Sequence, residues 1–425
     1  MRDSSRRTFL MNSSATVAAS AALASLEIAG NAYARADDTI KVGLVGCGGR
    51  GTGAAEQALT ADKGVKLVAV ADAFQNRADS CLELLKKSAV GSQVDVPSDK
   101  IFIGFDAYKK VIDEVDVVLL TSTPHFRPEH LAYAVAKGKH VFMEKPVATD
   151  SPGVRSVLQS VAEAKSKGTS IVSGFCWRYD KPRRETMKHY FDGAVGKAVA
   201  VETTYNSSGV WEPPKTREEV GSEMELQMRN WYYYDWLSGD HIVEQAIHGI
   251  DTMCWALGDK PPVQCFGVGG RQVRVEPKYG NIYDHFSIVY EYPDNVRGYH
   301  QCRHWKGTAM RVKDYILGEK GVVDVFGNSI SGENKWRYRG AKSNMYQVEH
   351  DEMFAALRAG KTLNNGEEAA KTTLVAIMGR MAAYTGEVIT YEAALNSKEA
   401  LGPKEYVWGD APQRPVPMPG LTKFS

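Results

Sequence analysis

The chain has 425 residues, 43% hydrophobic and 24% charged, an ordinary globular composition long enough for two cores of normal domain size. With 52 basic against 51 acidic side chains the formal charge is +1, which excludes the basic footprint that grips a phosphate backbone or an anionic membrane. Nucleic acid is therefore not an expected partner.

The first 36 residues read as an address and not as part of a core. Ser5-Arg6-Arg7-Thr8-Phe9-Leu10 puts paired arginines before an Ala-rich run from Ala15 to Ala29, and Ala32-Tyr33-Ala34 offers the small residues a signal peptidase needs. This predicts a twin-arginine signal and a periplasmic or otherwise exported protein, with a disordered basic terminus as the alternative. Ser13, Ser14, Ser20, Ser25 and Glu27 make the run too polar for stable membrane insertion. The six cysteines, at positions 47, 81, 176, 254, 265 and 302, form no Cys-x-x-Cys pair and no dense framework. Buried, reduced thiols are expected, although an oxidising destination allows an occasional pair.

From residue 37 to 167, apolar runs alternate with helical stretches, which predicts an α/β Rossmann domain with a doubly wound parallel sheet. Its strands are Ile40 to Val45, Val65 to Ala71, Val115 to Thr121 and His140 to Met143. Pro128 opens a helix that Gly138 closes, and Asp150 caps another that runs to Gly168. The strand Thr169 to Phe175 carries the chain into a second domain over residues 168–398. Longer amphipathic strands follow, Ala198 to Tyr205, Val263 to Val275, His285 to Tyr292 and Arg297 to His304. Their alternation predicts an α+β domain with a large, mostly antiparallel open sheet covered on one face. Helices are expected over Asp240 to Leu257, Glu349 to Arg358 and Glu367 to Thr385, and residues 399–425, rich in proline and glycine, form an extended tail.

Gly46-Cys47-Gly48-Gly49-Arg50-Gly51 follows the first strand and opens a helix. Glycine is needed there because a side chain would block a pyrophosphate from the backbone and helix amides. The next strand ends in Ala71-Asp72, 21 residues past Gly51, where a carboxylate can accept hydrogen bonds from both ribose hydroxyls of NAD. A 2'-phosphate would meet that charge unfavourably, so NAD is preferred over NADP, although Arg50 and Arg77 temper the preference. A plain helix cap is the alternative role for Asp72.

The strand ending at Thr121 leads to Ser122-Thr123-Pro124, and the next delivers Gly138-Lys139-His140-Val141-Phe142-Met143-Glu144-Lys145-Pro146. With the glycine turn, this Glu-Lys-Pro element resembles the glucose-fructose oxidoreductase, inositol dehydrogenase and MocA (Gfo/Idh/MocA) family. The resemblance covers nearly all of residues 40–395, including His248-Gly249-Ile250-Asp251 and Gly386-Glu387-Val388-Ile389-Thr390. It implies a nicotinamide-dependent oxidoreductase acting on a ring CH–OH of a sugar, glycoside or cyclitol. Gly46, Gly48, Gly49, Arg50, Gly51, Asp72, Thr121, Pro124, Glu144 and Lys145 would then hold the cofactor, and a cis bond commonly precedes the proline.

Lys145, at the carboxyl end of a parallel strand, can hold a substrate oxygen and share a proton, or be a solvated strand-end charge. Glu244 and His248, four residues apart, are expected on one face of the Asp240 to Leu257 helix, with Asp251 continuing it. The family pattern is Asp-x-x-x-His with the histidine as acid/base; here Glu244 replaces the aspartate that would fix the histidine tautomer. A buried structural histidine, or a metal held by Glu244, His248 and Asp251, are the alternatives; no further ligand cluster supports the metal. In the run Trp231-Tyr232-Tyr233-Tyr234-Asp235-Trp236, Tyr234 is a candidate sugar wall or part of a packed joint. Trp177 and Arg178 occupy a position that lines the substrate side in relatives, and Arg178 can instead pair at the domain junction.

The expected chemistry passes the hydroxyl proton to His248, assisted by Lys145, as hydride moves to the nicotinamide. An exported enzyme has no free NAD pool, so the cofactor is expected to stay bound through turnover. A redox-assisted glycosidase, in which transient oxidation permits elimination of an aglycone, is the second reading; the intact Glu-Lys-Pro lysine favours plain dehydrogenation. The resemblance also implies a homo-oligomer formed through the exposed face of the second sheet.

Overall fold

The computed structural model describes residues 38–425. The export segment expected over residues 1–36 lies outside them. Strands β1 (Ile40–Val45), β2 (Val65–Asp72), β3 (Ile101–Ile103), β4 (Val117–Leu120), β5 (His140–Met143) and β6 (Ile171–Ser173) pair in parallel in the order β3-β2-β1-β4-β5-β6. Helices α1 (Gly49–Ala61), α2 (Gln75–Lys87), α3 (Ala107–Glu114), α4 (Arg127–Ala136) and α5 (Ser151–Lys167) connect them. Period-two alternation fills both layers: Val117 and Leu119 pack with residues of α1 and α2, and Val118 and Leu120 with residues of α3, α4 and α5. Strand order reverses between β1 and β4, and open sheets of this kind bind ligands at the carboxyl ends beside such a switch.

The strand expected to lead into the second domain belongs to the first. Ile171 and Val172 are fully or almost fully buried, and β6 pairs with β5, so the parallel sheet extends to Ser173. After α6 (Lys181–Phe191), the second domain is built on nine strands: β7 (Ala198–Ser207), β8 (Gln264–Gly270), β9 (His285–Glu291), β10 (Arg297–His304), β11 (Arg311–Gly318), β12 (Gly321–Asp324), β13 (Ser329–Gly332), β14 (Trp336–Arg337) and β15 (Ile389–Thr390). Their order is β14-β13-β12-β11-β7-β10-β9-β8-β15; β7 and β10 run parallel and every other pair is antiparallel. β8 is shorter than the alternation predicts, because after Gly270 the chain leaves the sheet and Val273 and Val275 are solvent-exposed.

Helices α7 (Glu223–Arg229), α8 (Asp235–Ser238), α9 (His241–Glu244) and α10 (Ile247–Ala256) lead up to β8. The single helix expected over Asp240 to Leu257 is therefore two. The Ala246 N–H reaches back five residues to the His241 carbonyl, and the Gly249 N–H only three, to Ala246. That widening and tightening of the ladder turns the chain between Glu244 and His248.

Helices α11 (Met345–Arg358), α12 (Gly366–Thr385) and α13 (Tyr391–Asn396) close the fold. Met353, Phe354 and Leu357 of α11 share a core with Ala54, Ala58 and Leu59 of α1, so a helix from late in the chain covers the first domain. The tail forms no helix or strand after Asn396 but is fastened across the molecule. Tyr406 donates to or accepts from His125 at 2.8 Å, Trp408 packs on Phe105 at 4.7 Å and on Phe74 at 5.3 Å, and Arg414 pairs with Asp235 and Glu399. No helix among the described residues is long and apolar enough to cross a membrane. All six cysteines are free and buried.

Candidate active site

A cavity of about 730 Å³ runs along the carboxyl ends of β1, β2, β4 and β5 and under the loop between β7 and α7. Its floor is the glycine turn. Gly46 has φ +98°, and a Cβ there would stand 2.4 Å from the Ser122 nitrogen; one on Gly51 would stand 1.9 Å from the Gly46 oxygen. Gly48 and Gly49 instead face open space, with nothing within 4 Å of an added Cβ. No side chain caps the amino end of α1, so the geometry and the helix dipole fit a pyrophosphate at that end. Thr121 Oγ1 donates to the Gly46 carbonyl at 2.7 Å and fixes the turn to β4; buried Pro124 also lines the cavity.

Asp72 lines the same cavity and accepts from the Cys47 N–H at 2.7 Å and the Phe74 N–H at 2.9 Å. Burial pushes its pKa up while those two bonds oppose the shift. The far wall is made by Phe74, Phe105 and Tyr108 of the first domain, closed by Met228 and Arg229 of α7. The Arg229 guanidinium sits 3.9 Å over the Phe74 ring, bridging the two domains, and Trp408 backs both Phe74 and Phe105.

Arg50 has partners that a linear reading misses. Its guanidinium bonds Glu144, donates to Gln57 Oε1 at 2.9 Å, pairs with Glu349 at 3.3 Å and lies 4.8 Å over Tyr346. Glu144 is 4% exposed and Glu349 0%, so this one cation is shared between two buried acidic side chains, one from the strand end and one from α11. Burial, reinforced by Glu144, pushes the Glu349 pKa up against the pull of Arg50. Arg50 lines the cavity, but its charge is committed to this bridge. Glu144 also accepts from the Lys145 N–H at 3.2 Å, which ties the bridge to the next residue.

The Lys145–Pro146 bond is cis. Lys145 Nζ donates to the Glu244 carbonyl at 2.6 Å and pairs with Glu244 Oε1 at 3.3 Å, each side chain 12% exposed. The expected orientation of His248 by Glu244 is thus not the one found: the helix break turns Glu244 onto Lys145. His248 lines the cavity beside them, 6% exposed, its ring stacked on Trp177 at 4.9 Å and 22°. Its Nδ1 is buried without a partner. Burial, then the charges of Lys145 and Arg183, push its pKa well below the ordinary imidazole value, so the ring is a neutral proton acceptor near pH 7.

Other candidates lie behind this site. Trp177 does not line the cavity; it is a buried platform between His248 and the Arg183 guanidinium, 3.9 Å from its ring. Arg178 and Asp251 bond each other at 3.0 Å, Arg178 also holds Asp259, and Thr372 donates to Asp251. Neither Arg178 nor Asp251 lines the cavity; both are taken up by these ion pairs, and among the described residues Glu244, His248 and Asp251 are not gathered into a group that could hold a metal. Tyr234 packs among buried aromatic residues, while its neighbour Trp231 reaches the cavity. Gln245, Trp211 and Glu212 also line it. Gln245, which donates to the Tyr205 hydroxyl at 2.7 Å, is half-buried and follows the last residue of α9, at the helix break. Trp211 and Glu212 lie in a loop whose sequence has no periodicity to mark it.

Residues 40–174 match the family described as the GFO/IDH/MocA oxidoreductase family with an NAD-binding Rossmann fold, and residues 185–324 match the GFO/IDH/MocA C-terminal domain. The chain belongs to the GFO/IDH/MocA family. It is 30% identical over 224 residues to inositol 2-dehydrogenase 3 of Saccharopolyspora erythraea, covering 52% of this chain and 55% of that protein, so it spans about half the length of that relative. With inositol 2-dehydrogenase of Rubrobacter xylanophilus it shares 27% over 289 residues, 68% of this chain and 72% of the relative. The fold matches the aldose-aldose oxidoreductase from Caulobacter crescentus with a TM-score of 0.64 at 17% identity, over 83% of this chain and 99% of that one.

Proposed function

We propose that this GFO/IDH/MocA protein is an exported, NAD-dependent oxidoreductase acting on a ring CH–OH of a sugar, glycoside or cyclitol. The observation that carries the reading is the meeting of Lys145 and a neutral, buried His248 in the cavity that begins at the glycine turn. Bound nicotinamide would supply the hydride acceptor. His248 takes the hydroxyl proton, and the Lys145 ammonium, held by Glu244, donates a hydrogen bond to the same oxygen and stabilises its developing charge. Trp177 beneath the imidazole and the break after Glu244 fix the two groups' orientation. The names of the relatives, inositol dehydrogenases and an aldose-aldose oxidoreductase, support the polyol substrate class.

Asp72 supports NAD over NADP, since Arg50 is occupied by Glu144 and Glu349, which leaves Arg77 as the cation whose charge acts on the carboxylate. The twin-arginine motif supports export after folding, with the cofactor loaded and retained. Phe266, Val268, Tyr299 and Leu317, exposed at 42%, 67%, 45% and 37% on the outer face of the nine-stranded sheet, support pairing with a second copy of the chain. The testing experiment purifies the exported chain, identifies by mass spectrometry any nucleotide released on denaturation, and follows nicotinamide fluorescence against sugars, glycosides and cyclitols. NAD and a fluorescence change with a polyol are expected. Aglycone release with no net redox change would replace this reading with the redox-assisted glycosidase.

A further inference from the structure

A second cavity of about 370 Å³ adjoins the first, and Glu212 lines both. Its other walls are Val273, Arg274, Lys278, Tyr279 and Lys306, so three cations face one carboxylate. Glu212 cannot act as an acid there. Lys306 at 2.7 Å, the Tyr279 hydroxyl at 2.9 Å and Arg274 at 3.9 Å hold it, and the Lys306 bond leads in pulling its pKa below the ordinary carboxylate range. Arg274 is 4% exposed and is anchored by donating to the His304 carbonyl at 2.9 Å and to the Tyr233 hydroxyl at 3.2 Å. Lys278 leans on Glu276 at 3.5 Å but remains, like Lys306, largely exposed. The excess charge is positive and nothing in the proposed hydride transfer uses it.

Trp211 stands at the junction. Tyr233 donates to its carbonyl, and its ring meets those of Tyr233 and Tyr232 edge-on, at 87° and 66°. Edge support holds the indole while 40% of the residue stays exposed. Such a face is apolar, rigid and ready to stack on the axial hydrogens of a pyranose. The order from the first cavity to the second is then a proton-handling pair, an aromatic platform and a basic end.

We propose that the substrate is an acidic glycoside: its reacting ring lies by Lys145 and His248, its second ring stacks on Trp211, and an anionic group on that ring meets Lys278 and Lys306, the two exposed cations of the basic end. This rests on the oxidoreductase reading for the reacting end only. The test is equilibrium binding to the cofactor-loaded protein by calorimetry, with cellobiose, glucuronosyl-β-1,4-glucose and a sulfated cellobiose as probes. The acidic disaccharides are expected to bind about tenfold more tightly than cellobiose at low salt, as one new charge-assisted hydrogen bond allows. Raising the salt should erode that advantage. Comparison of the carboxylate and sulfate probes says which anion the site takes. Trp211→Ala should weaken all three disaccharides, and the exposed pair Lys278→Ala with Lys306→Ala should abolish the preference for the acidic ones. Equal binding of neutral and acidic probes at every salt concentration, survival of the preference in the double variant, or no binding of any disaccharide would overturn the assignment. Because binding is read, absence of hydride transfer would count against the proposed function and leave this outcome separately decided.

Discussion

Trp408 is the place where a single side chain outside the cavity should control how long a nucleotide stays in it. It stacks on Phe105 at 4.7 Å and on Phe74 at 5.3 Å, the two rings that form the far wall with Met228 and Arg229. The tail is pinned on both sides of this stack, since the Met224 N–H donates to the Gly409 carbonyl at 2.9 Å and Tyr406 bonds His125. Each aromatic pair is worth about 0.5–1.5 kcal/mol, so Trp408→Ala should weaken the closed wall by about 1–3 kcal/mol. Trp408 keeps 47% of its surface exposed, which points to the lower half of that range. If nucleotide leaves only when the wall opens, release should quicken by about 5–150-fold. The assay loads the protein with NADH, chases with excess NAD and follows the decay of nicotinamide fluorescence. A release rate unchanged in Trp408→Ala, although a lowered unfolding midpoint shows that the contact had stabilised the fold, would mean that the wall does not gate release and that the tail serves packing alone.

Arg50→Met should lower stability by about 2–3 kcal/mol, less than the full cost of stranding buried charge because the Arg50 side chain is 31% exposed. Urea midpoints check this, and adding Glu349→Gln should restore part of the loss. The pH profile of kcat/KM for oxidation should show no break near the ordinary histidine pKa of about 6.5, because burial and Lys145 keep His248 neutral to well below it; an acid limb at that value would contradict the burial. His300 and His304, both fully buried, have pKa values pushed down to about 3 and about 4 by burial. The unfolded chain takes up those protons from about pH 6.5 and the native one only near pH 4 and below, so stability is intact above pH 6.5 and falls as pH drops. At pH 4 His304 alone costs up to about 3 kcal/mol. Thermal midpoints that do not fall between pH 7 and pH 4 would contradict this.

The parts of the site legible in the sequence are those where backbone geometry dictates residue type. Gly46 needs its positive φ, Gly51 leaves no room for a Cβ, and Asp72 and Lys145 sit at strand ends whose apolar runs are plain. The outline of both sheets follows from periodicity in the same way, although the short strands from Gly321 to Arg337 carry too little of it. What escaped was set by distant partners. Arg50 reads as a phosphate ligand until α11 brings Glu349 from 299 residues away. Glu244 reads as the orienter of His248 because helical spacing puts them on one face; the five-residue step at Ala246 sends it to Lys145 instead. Arg178 and Asp251 have the chemistry of sugar ligands, and only Asp259 and Thr372 around them give them a structural role.

On the proposed mechanism, Lys145 and His248 handle the proton of a hydroxyl whose carbon gives up hydride. Mixing the NAD-loaded protein with myo-inositol and glucose, each deuterated at every ring carbon, and locating the label after one turnover decides this. Deuterium is expected on the nicotinamide with at least one of them, with a rate about 10²–10⁴-fold lower in His248→Asn and in Lys145→Met with nucleotide still bound. Label found only in solvent, or wild-type rates in both variants, would contradict it.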